Sequence, residues 1–332
     1  IGAGNYASLV LLPALARTPA LQAIASGTGL SAALAARKFG FATASSDPAA
    51  LLADPDIAAV LIATRHNSHA RLVVDALQAG KHVFVEKPLA LDREELARVR
   101  AACQAAGDRL LMVGYNRRFA PLALRLQRHL RGRTEPLSLI YTVNAGAIPA
   151  DHWTQDPAVG GGRIIGEACH FIDLLRFLVG APIVGVQAAM PGEHPALAVR
   201  EDRMSIQLAF ADGSTGTVHY LADGSKRFPK ERLEVFSQGR VAVLDNWRAL
   251  RGYGWPGLAA RPRFRQDKGH RAELSAFVER VAAGGPPLIP WDELEEVSLA
   301  TFQAVESARA GLPPLPAAPI APVASEGEPV TS

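Results

Sequence analysis

At 332 residues the chain is too long for one small core and suits two domains, and its 48% apolar and 20% charged residues are the proportions of a globular protein. The net charge of +3 comes from arginines scattered through the chain, with no Lys/Arg-rich run interleaved with aromatics to make a nucleic-acid face. No apolar run approaches a membrane span, and no charged-then-apolar leader precedes the first motif, so the expectation is a cytoplasmic protein with neither nucleic acid nor membrane as partner.

Strand and helix signals alternate through the first third, the rhythm of a parallel sheet. The first motif, Gly2-Ala3-Gly4-Asn5-Tyr6-Ala7, fits the dinucleotide fingerprint with Ala in the third place. Its glycines let the backbone approach a pyrophosphate at the start of a helix beginning near Asn5. Ile1 stands directly before Gly2, where such a fold needs a strand of about five residues. The first strand is therefore expected to be truncated and the chain to be part of a longer polypeptide.

Further strands are expected at 21–26, 57–63, 82–86 and 110–115, with helices starting near Leu30, Asp47, Ser68 and Asp92. Asp92 with Glu95 matches a capping box, and Gly40, Gly80 and Gly107 fall where helices should stop. The strand at 21–26 runs into Ser26-Gly27-Thr28-Gly29 rather than the acidic residue that grips the ribose 2′-hydroxyl of NAD. A neutral loop leaves room for a 2′-phosphate, with Arg37 or Lys38 to reach it, and so favours NADP without excluding NAD. A solvated helix face explains Arg37 and Lys38 equally well.

The strand at 82–86 ends in Glu86-Lys87-Pro88. Ligands of an open parallel sheet sit beyond the carboxyl ends of its strands, so Lys87, one of six lysines among 35 basic residues, points at the site. After Phe119 the rhythm changes. A helix at 121–131, a strand at 137–143, a Gly/Pro-rich loop to Gly162 and an amphipathic helix at 164–179 are followed by period-two alternation over 182–250, which argues for an antiparallel sheet. Helical periodicity returns at 270–282 and 291–310, and 312–332 is too poor in large apolar groups to pack and is expected to be disordered.

Gly160-Gly161-Gly162 opens the helix that carries Glu167, His170 and Asp173 at i, i+3 and i+6. A His flanked by carboxylates suits a general base, although a helical His by itself is more often structural. Cys103 and Cys169 lack the paired spacing of a disulfide framework or a zinc site, and no metal is expected.

Taken together, the glycine fingerprint, Glu86-Lys87-Pro88 and the glycine-rich turn leading to His170 and Asp173 resemble the Gfo/Idh/MocA oxidoreductase family, of glucose-fructose oxidoreductase and inositol dehydrogenase type, over about residues 1–310. Ala63-Thr64 followed by His69, and Gly114-Tyr115-Asn116-Arg117-Arg118-Phe119, support it. The resemblance implies an α/β fold: a Rossmann domain at 1–118, then an α+β domain at 119–311 with a large open, mostly antiparallel sheet that carries substrate contacts and builds homo-oligomers. It implies NAD(P)-dependent hydride transfer to or from a secondary alcohol or ketone of a sugar, sugar nucleotide or polyol.

In that scheme Lys87, in a commonly cis Lys-Pro peptide, orients the substrate oxygen, and His170 moves its proton. Cofactor contacts fall to Gly2, Gly4, Asn5 and Tyr6 at the turn, to Ser26, Gly27, Thr28 and Arg37 at the ribose, and to Thr64, His69, Glu86 and Lys87 near the nicotinamide. Asn116, Arg117, Trp153, Arg163 and Asp173 are the candidates for holding substrate.

More narrowly, Asp151-His152-Trp153-Thr154-Gln155-Asp156-Pro157 and the segment around His170 resemble a subgroup from polysaccharide gene clusters, in some of which this module follows a zinc-type alcohol dehydrogenase in one chain. That implies a role in polysaccharide biosynthesis and a zinc dehydrogenase domain upstream. The chain also departs from the family. Inositol dehydrogenase-like members place an Asp four residues before the catalytic His, where this chain has Gly166, so Glu167 is expected to orient His170 instead. Arg65 stands where many relatives have Pro. The rival readings are a catalytically silent nucleotide-binding regulator and a glycosidase that works by transient oxidation with a retained cofactor.

Overall fold

Apolar β-branched runs bounded by glycine and proline build the first unit. The computed structural model describes residues 1–15, 21–258 and 264–311, so the expectation of disorder at 312–332 lies outside the described residues. A π-helical turn at Ala7–Leu11 leads into α1 (Leu12–Leu15). Then come β1 (Ala23–Ala25), α2 (Leu30–Phe39), β2 (Thr43–Ser45), α3 (Pro48–Ala53), β3 (Ala59–Ile62), α4 (His69–Gln78), β4 (His82–Val85), α5 (Arg93–Ala105) and β5 (Leu111–Val113).

Local chemistry sets the helix ends. The Asp47 carboxylate accepts the Ala49 N–H at 2.9 Å before α3, with Pro48 at the first helical position. Asp92 accepts the Glu95 N–H at 2.8 Å before α5, while Glu95 reaches back to the Leu91 N–H at 2.8 Å. Gly40, at φ +80°, closes α2 in the left-handed conformation that a side chain resists. Strand β2 had no signal in the sequence, since Thr43-Ala44-Ser45 is short, polar and largely exposed.

β1 pairs with β2, and β3 with β4 and then β5, all in parallel. Ile1 and Gly2 join the two pieces: the Gly2 N–H donates to Ala25 O at 2.8 Å, and Ile1 O accepts the Ala63 N–H at 2.8 Å. With that stub counted as the first strand, the spatial order is that of the doubly wound dinucleotide fold. Its carboxyl ends face one crevice.

The second unit has α6 (Pro121–Leu130), β6 (Ser138–Asn144), a π-helical turn at Ile164–Ala168 running into α7 (Cys169–Val179), and β7 (Ile183–Ala189). β8 (Arg203–Phe210), β9 (Thr215–Leu221), β10 (Glu231–Ser237), β11 (Arg240–Asp245) and β12 (Ala249–Tyr253) follow, then α8 (His270–Ala283) and α9 (Trp291–Ala310). The seven strands form one sheet in the order β12-β11-β10-β6-β9-β8-β7, antiparallel except where β6 and β9 run parallel. Alternation along β8 buries Met204, Ile206, Leu208 and Phe210 against the helices and leaves Ser205, Gln207 and Ala209 on the open face. α8 follows the sheet in sequence but packs on the first unit, with Phe277 edge-on to Phe84 at 5.7 Å. It thereby brings His270 to the crevice.

Candidate active site

A cleft of about 530 Å³ lies beyond the ends of β3 and β4, between the two units. On the nucleotide side, Gly2 has φ +98°, and a Cβ there would stand 2.3 Å from Ala63 O; a Cβ on Gly4 would meet nothing within 4 Å. The first glycine is thus required by the chain itself, whereas the second borders open space at the start of the helix, the cradle that a pyrophosphate needs. The two substitutions are expected to separate. Gly2→Ala lowers the thermal midpoint, because strain plus a backbone clash costs about 1–3 kcal/mol, while Gly4→Ala leaves the midpoint in place and weakens NAD binding. Calorimetry and a cofactor titration check this, and equal midpoints for both variants would contradict it.

At the end of β1, Ser26 is nearly buried; its Oγ accepts the Ala32 N–H at 3.0 Å and lies 2.6 Å from the Ser31 hydroxyl, which lies 3.2 Å from that of Thr28. Gly27 is open on its Cβ side. These groups hold a neutral loop at the expected ribose position. Arg37 is not gathered with them. It stands exposed in the last turn of α2, on the order of 10 Å along the helix from Leu30, because a helix leaving the loop carries its later residues away from it.

Toward the nicotinamide end, Thr64 follows β3 and shares a hydrogen bond with Ser68 at 2.6 Å. His69 is fully buried between two carbonyls, with Nδ1 2.7 Å from Pro88 O and Nε2 3.2 Å from Thr64 O, and as a neutral ring it donates to one of them. Its burial pulls the imidazole down to about 4. Lys87-Pro88 is cis, and Lys87 Nζ donates to Gly166 O at 2.8 Å. Glu86 is buried with Oε1 lacking a partner; burial lifts its carboxyl to about 7 against the pull of Lys87. Tyr6 bonds Glu86 and lies 6.4 Å, ring to ring, from His270.

On the substrate side, His170 is buried, and its Nδ1 has no partner among the described residues, which leaves Nε2 as the nitrogen that meets the cleft. Burial, then Arg117 and Lys87, hold its imidazole well below the usual histidine range. Glu167 does not orient it, which corrects the expectation from the sequence. The Glu167 carboxylate instead takes hydrogen bonds from Lys230 at 2.7 Å, Tyr220 at 2.5 Å and Arg163 at 3.0 Å. Burial would raise that carboxyl, but Lys230 and Lys87 outweigh it and hold it well below the carboxylate range.

Position 166 is glycine for a steric reason: a Cβ there would come within 2.8 Å of His66 Cε1. His66, held by Nδ1 to Gly160 O at 2.8 Å and edge-on to Trp153 at 4.7 Å, occupies the space an Asp at 166 would need. The sequence reading missed His66, although its place directly after Ala63-Thr64-Arg65 was a usable signal.

The substrate candidates divide. Trp153 and Arg163 line the cleft; Arg163 also donates to Gly146 O at 2.6 Å. Asn116 faces the cleft with Oδ1 unpartnered and Nδ2 bonded to Lys268 O at 2.7 Å. Arg117 borders it, but its fork is spent on Glu231, with both bonds at 2.9 Å. Asp173 is not a cleft residue. It is fully buried and bidentate to Arg118 at 2.5 and 3.1 Å, and that geometry keeps the pair ionised although burial lifts the carboxyl to about 6. One helical turn beyond His170 on a helix buried all round, its side chain meets the 116–119 turn instead of the opening. No local pattern singles out Glu231, Lys230, Lys268, Tyr220 or His270.

Comparison with known proteins agrees with this geometry. A family model described as oxidoreductase family, NAD-binding Rossmann fold, matches residues 1–115, and one described as GFO/IDH/MocA C-terminal domain matches residues 132–240. The chain is 29% identical over 288 residues to myo-inositol 2-dehydrogenase of Thermotoga maritima, covering 81% of this chain and 83% of that protein. It is 28% identical over 328 residues to a 1-carboxy-3-chloro-3,4-dihydroxycyclohexa-1,5-diene dehydrogenase of Comamonas testosteroni, covering 90% and 79%. Levoglucosan dehydrogenase, solved with NADH and levoglucosan, superposes with a TM-score of 0.78 at 26% identity over 93% of this chain and 96% of that one.

Proposed function

The chain belongs to the Gfo/Idh/MocA family of NAD-binding oxidoreductases, and on that premise we propose that it oxidises a secondary alcohol of a sugar, sugar nucleotide or polyol, with Lys87 and His170 as the groups that touch the reacting oxygen. The observation that carries the reading is the convergence of Lys87 and His170 on one cleft with Tyr6, the residue in which the glycine turn ends. The relatives' names support it, since inositol, levoglucosan and a dihydroxycyclohexadiene each offer a carbinol.

Bound NAD(P) supplies the hydride acceptor, held by the Gly2–Tyr6 turn and the Ser26–Thr28 loop. The Lys87 ammonium bonds the substrate hydroxyl and stabilises negative charge on that oxygen as its carbon gives up hydride. His170 accepts the hydroxyl proton at Nε2. His69 lies 2.7 Å from the carbonyl of Pro88, the residue after Lys87, and so packs against the cis turn that positions the lysine. The neutral Ser26–Thr28 loop puts no carboxylate against a 2′-phosphate, so NADP is expected to serve at least as well as NAD. Steady-state kinetics with both cofactors test this, and a strong preference for NAD would refute it.

Reduction of cofactor across a panel of sugars and polyols is the direct test. A silent regulator binds nucleotide without turnover, and a redox-assisted glycosidase hydrolyses without releasing reduced cofactor. The pH profile is a second check. Because burial, Arg117 and Lys87 lower the His170 pKa, the ring is already neutral at pH 6.5 and remains competent as a base from there upward. The acid limb of kcat/KM assigned to His170 should lie well below 6.5. A limb near 6.5 that disappears in His170→Gln would contradict the assignment.

A further inference from the structure

The cations of this cleft outnumber its carboxylates. Glu231, wholly buried, accepts from both Arg117 and Lys268, with Tyr141 and Trp247 as its neutral donors. Glu167 likewise accepts from both Arg163 and Lys230. Each carboxylate therefore leaves one cation uncompensated. Lys87 adds another, since its hydrogen bond goes to a carbonyl. Glu86 is the remaining carboxylate on the cleft wall. Even with Glu86 ionised, the set is positive, and the low dielectric of a half-closed cleft focuses that field.

Position bears this out. Lys87, Arg117, Arg163 and Lys268 line the same cleft as His170, and Lys230 reaches its wall through Glu167, so the positive groups come from several different elements. The outer members of the two triads, Lys268 and Lys230, retain exposure of 18% and 39% and keep ammonium protons beyond their bonds to Glu231 and Glu167. The cofactor does not account for this charge, because its pyrophosphate belongs at the Gly2–Asn5 turn and an oxidised nicotinamide ring is itself a cation.

We propose that the substrate is anionic: a sugar or polyol carrying a carboxylate or phosphate that seats against Lys230 and Lys268 while its reacting hydroxyl lies at Lys87 and His170. This rests on the oxidoreductase reading above. The anionic group is not transformed; it pairs with ammonium groups already held in place by Glu167 and Glu231, so little side-chain order is lost on binding.

The test is a matched panel in the NAD(P) reduction assay: sugar acids, sugar phosphates and nucleotide sugars, each beside its neutral parent. A charged member is expected to exceed its neutral parent at least tenfold in kcat/KM, with the advantage shrinking as salt rises from 20 to 500 mM. Whether the acid or the phosphate leads identifies the source of the charge. Lys230→Gln, at the exposed rim, is expected to raise KM for the charged substrate about tenfold with a smaller change in kcat, and Lys268→Gln to act in the same direction. Neutral parents turned over as well as their charged partners, with no salt dependence, would overturn the anionic class and leave the oxidoreductase reading standing. A panel in which nothing reduces either cofactor would overturn both.

Discussion

Lys87→Met should lower kcat/KM by about 10²–10³ while moving the thermal midpoint by only a few degrees. The asymmetry follows from where the ammonium stands. In the absence of substrate it makes one hydrogen bond, to Gly166 O at 2.8 Å, and the side chain is half-buried; on its removal Glu167 keeps Lys230 and Arg163, and Glu86, already raised to about 7, takes a proton rather than staying as a stranded charge. On the proposed mechanism it is the cation beside the developing alkoxide, and its neighbours offer no substitute: His170 is neutral, and the Arg117 fork is closed on Glu231. Cofactor affinity should change far less, because the Gly2–Gly4 turn, the proposed pyrophosphate cradle, is not among the residues that line the cleft with Lys87. Steady-state kinetics alongside a cofactor titration check both halves. Retention of more than a tenth of the activity with the true substrate would remove Lys87 from the mechanism.

Glu231→Ala should act in the opposite way, unsettling the fold before the chemistry. The Glu231 carboxylate is fully buried and receives Arg117 twice, Lys268, Tyr141 and Trp247 at 2.7–2.9 Å. Burial alone would raise its pKa, but Arg117 and Lys268 outweigh that and hold the carboxyl well below the usual range. Removing it strands a buried guanidinium that also lies 4.7 Å over the Phe171 ring, a loss of about 3–5 kcal/mol. For a chain of this size, a shift on the order of 10 °C in the thermal midpoint should follow. The double variant Glu231→Leu with Arg117→Leu should recover part of the loss, since the stranded charge is then gone, and the double-mutant cycle measures the coupling. Additive losses would show that the pair does not act as a unit.

A weaker but opposed pair of pH effects accompanies these. His66, His69, His170 and His270 all have depressed pKa values, His66 to about 3 and His270 to about 4, chiefly from burial. Below about pH 6.5 the unfolded chain binds protons that the folded histidines refuse, so their contribution to stability falls as pH falls. Glu86 and Glu273, whose carboxyls are raised by burial, run the other way: their protonated forms are favoured in the fold, and they give up stability as pH rises toward and through 7.

Much of this molecule could be read along the chain because the rules involved act over a few residues. The period-two alternation of 182–250, the caps at Asp47 and Asp92, the terminating Gly40 and the Gly2–Gly4 turn are all local, and each appears in the structure close to where the residues place it. Lys87 is legible for the same reason, as a charge at the end of an apolar strand. The 43–45 strand is not, since it carries neither alternation nor an apolar face.

What the tertiary structure decided is which charge meets which. Glu167, His170 and Asp173 share one helix and look like one constellation, yet the π-helical turn before α7 and the register of the sheet send Glu167 to Lys230 and Tyr220, and the packing of the 116–119 turn gives Asp173 to Arg118. Arg117 and Glu231 are 114 residues apart, and His66 reaches Gly160 O across 94. Such pairs are set by sheet order and by the space left when cores close, which no local spacing encodes. The sequence alone placed the glycine turn and the lysine that ends β4; the closed fold determined the carboxylate partners, and with them the balance of charge on which the proposed anionic substrate rests.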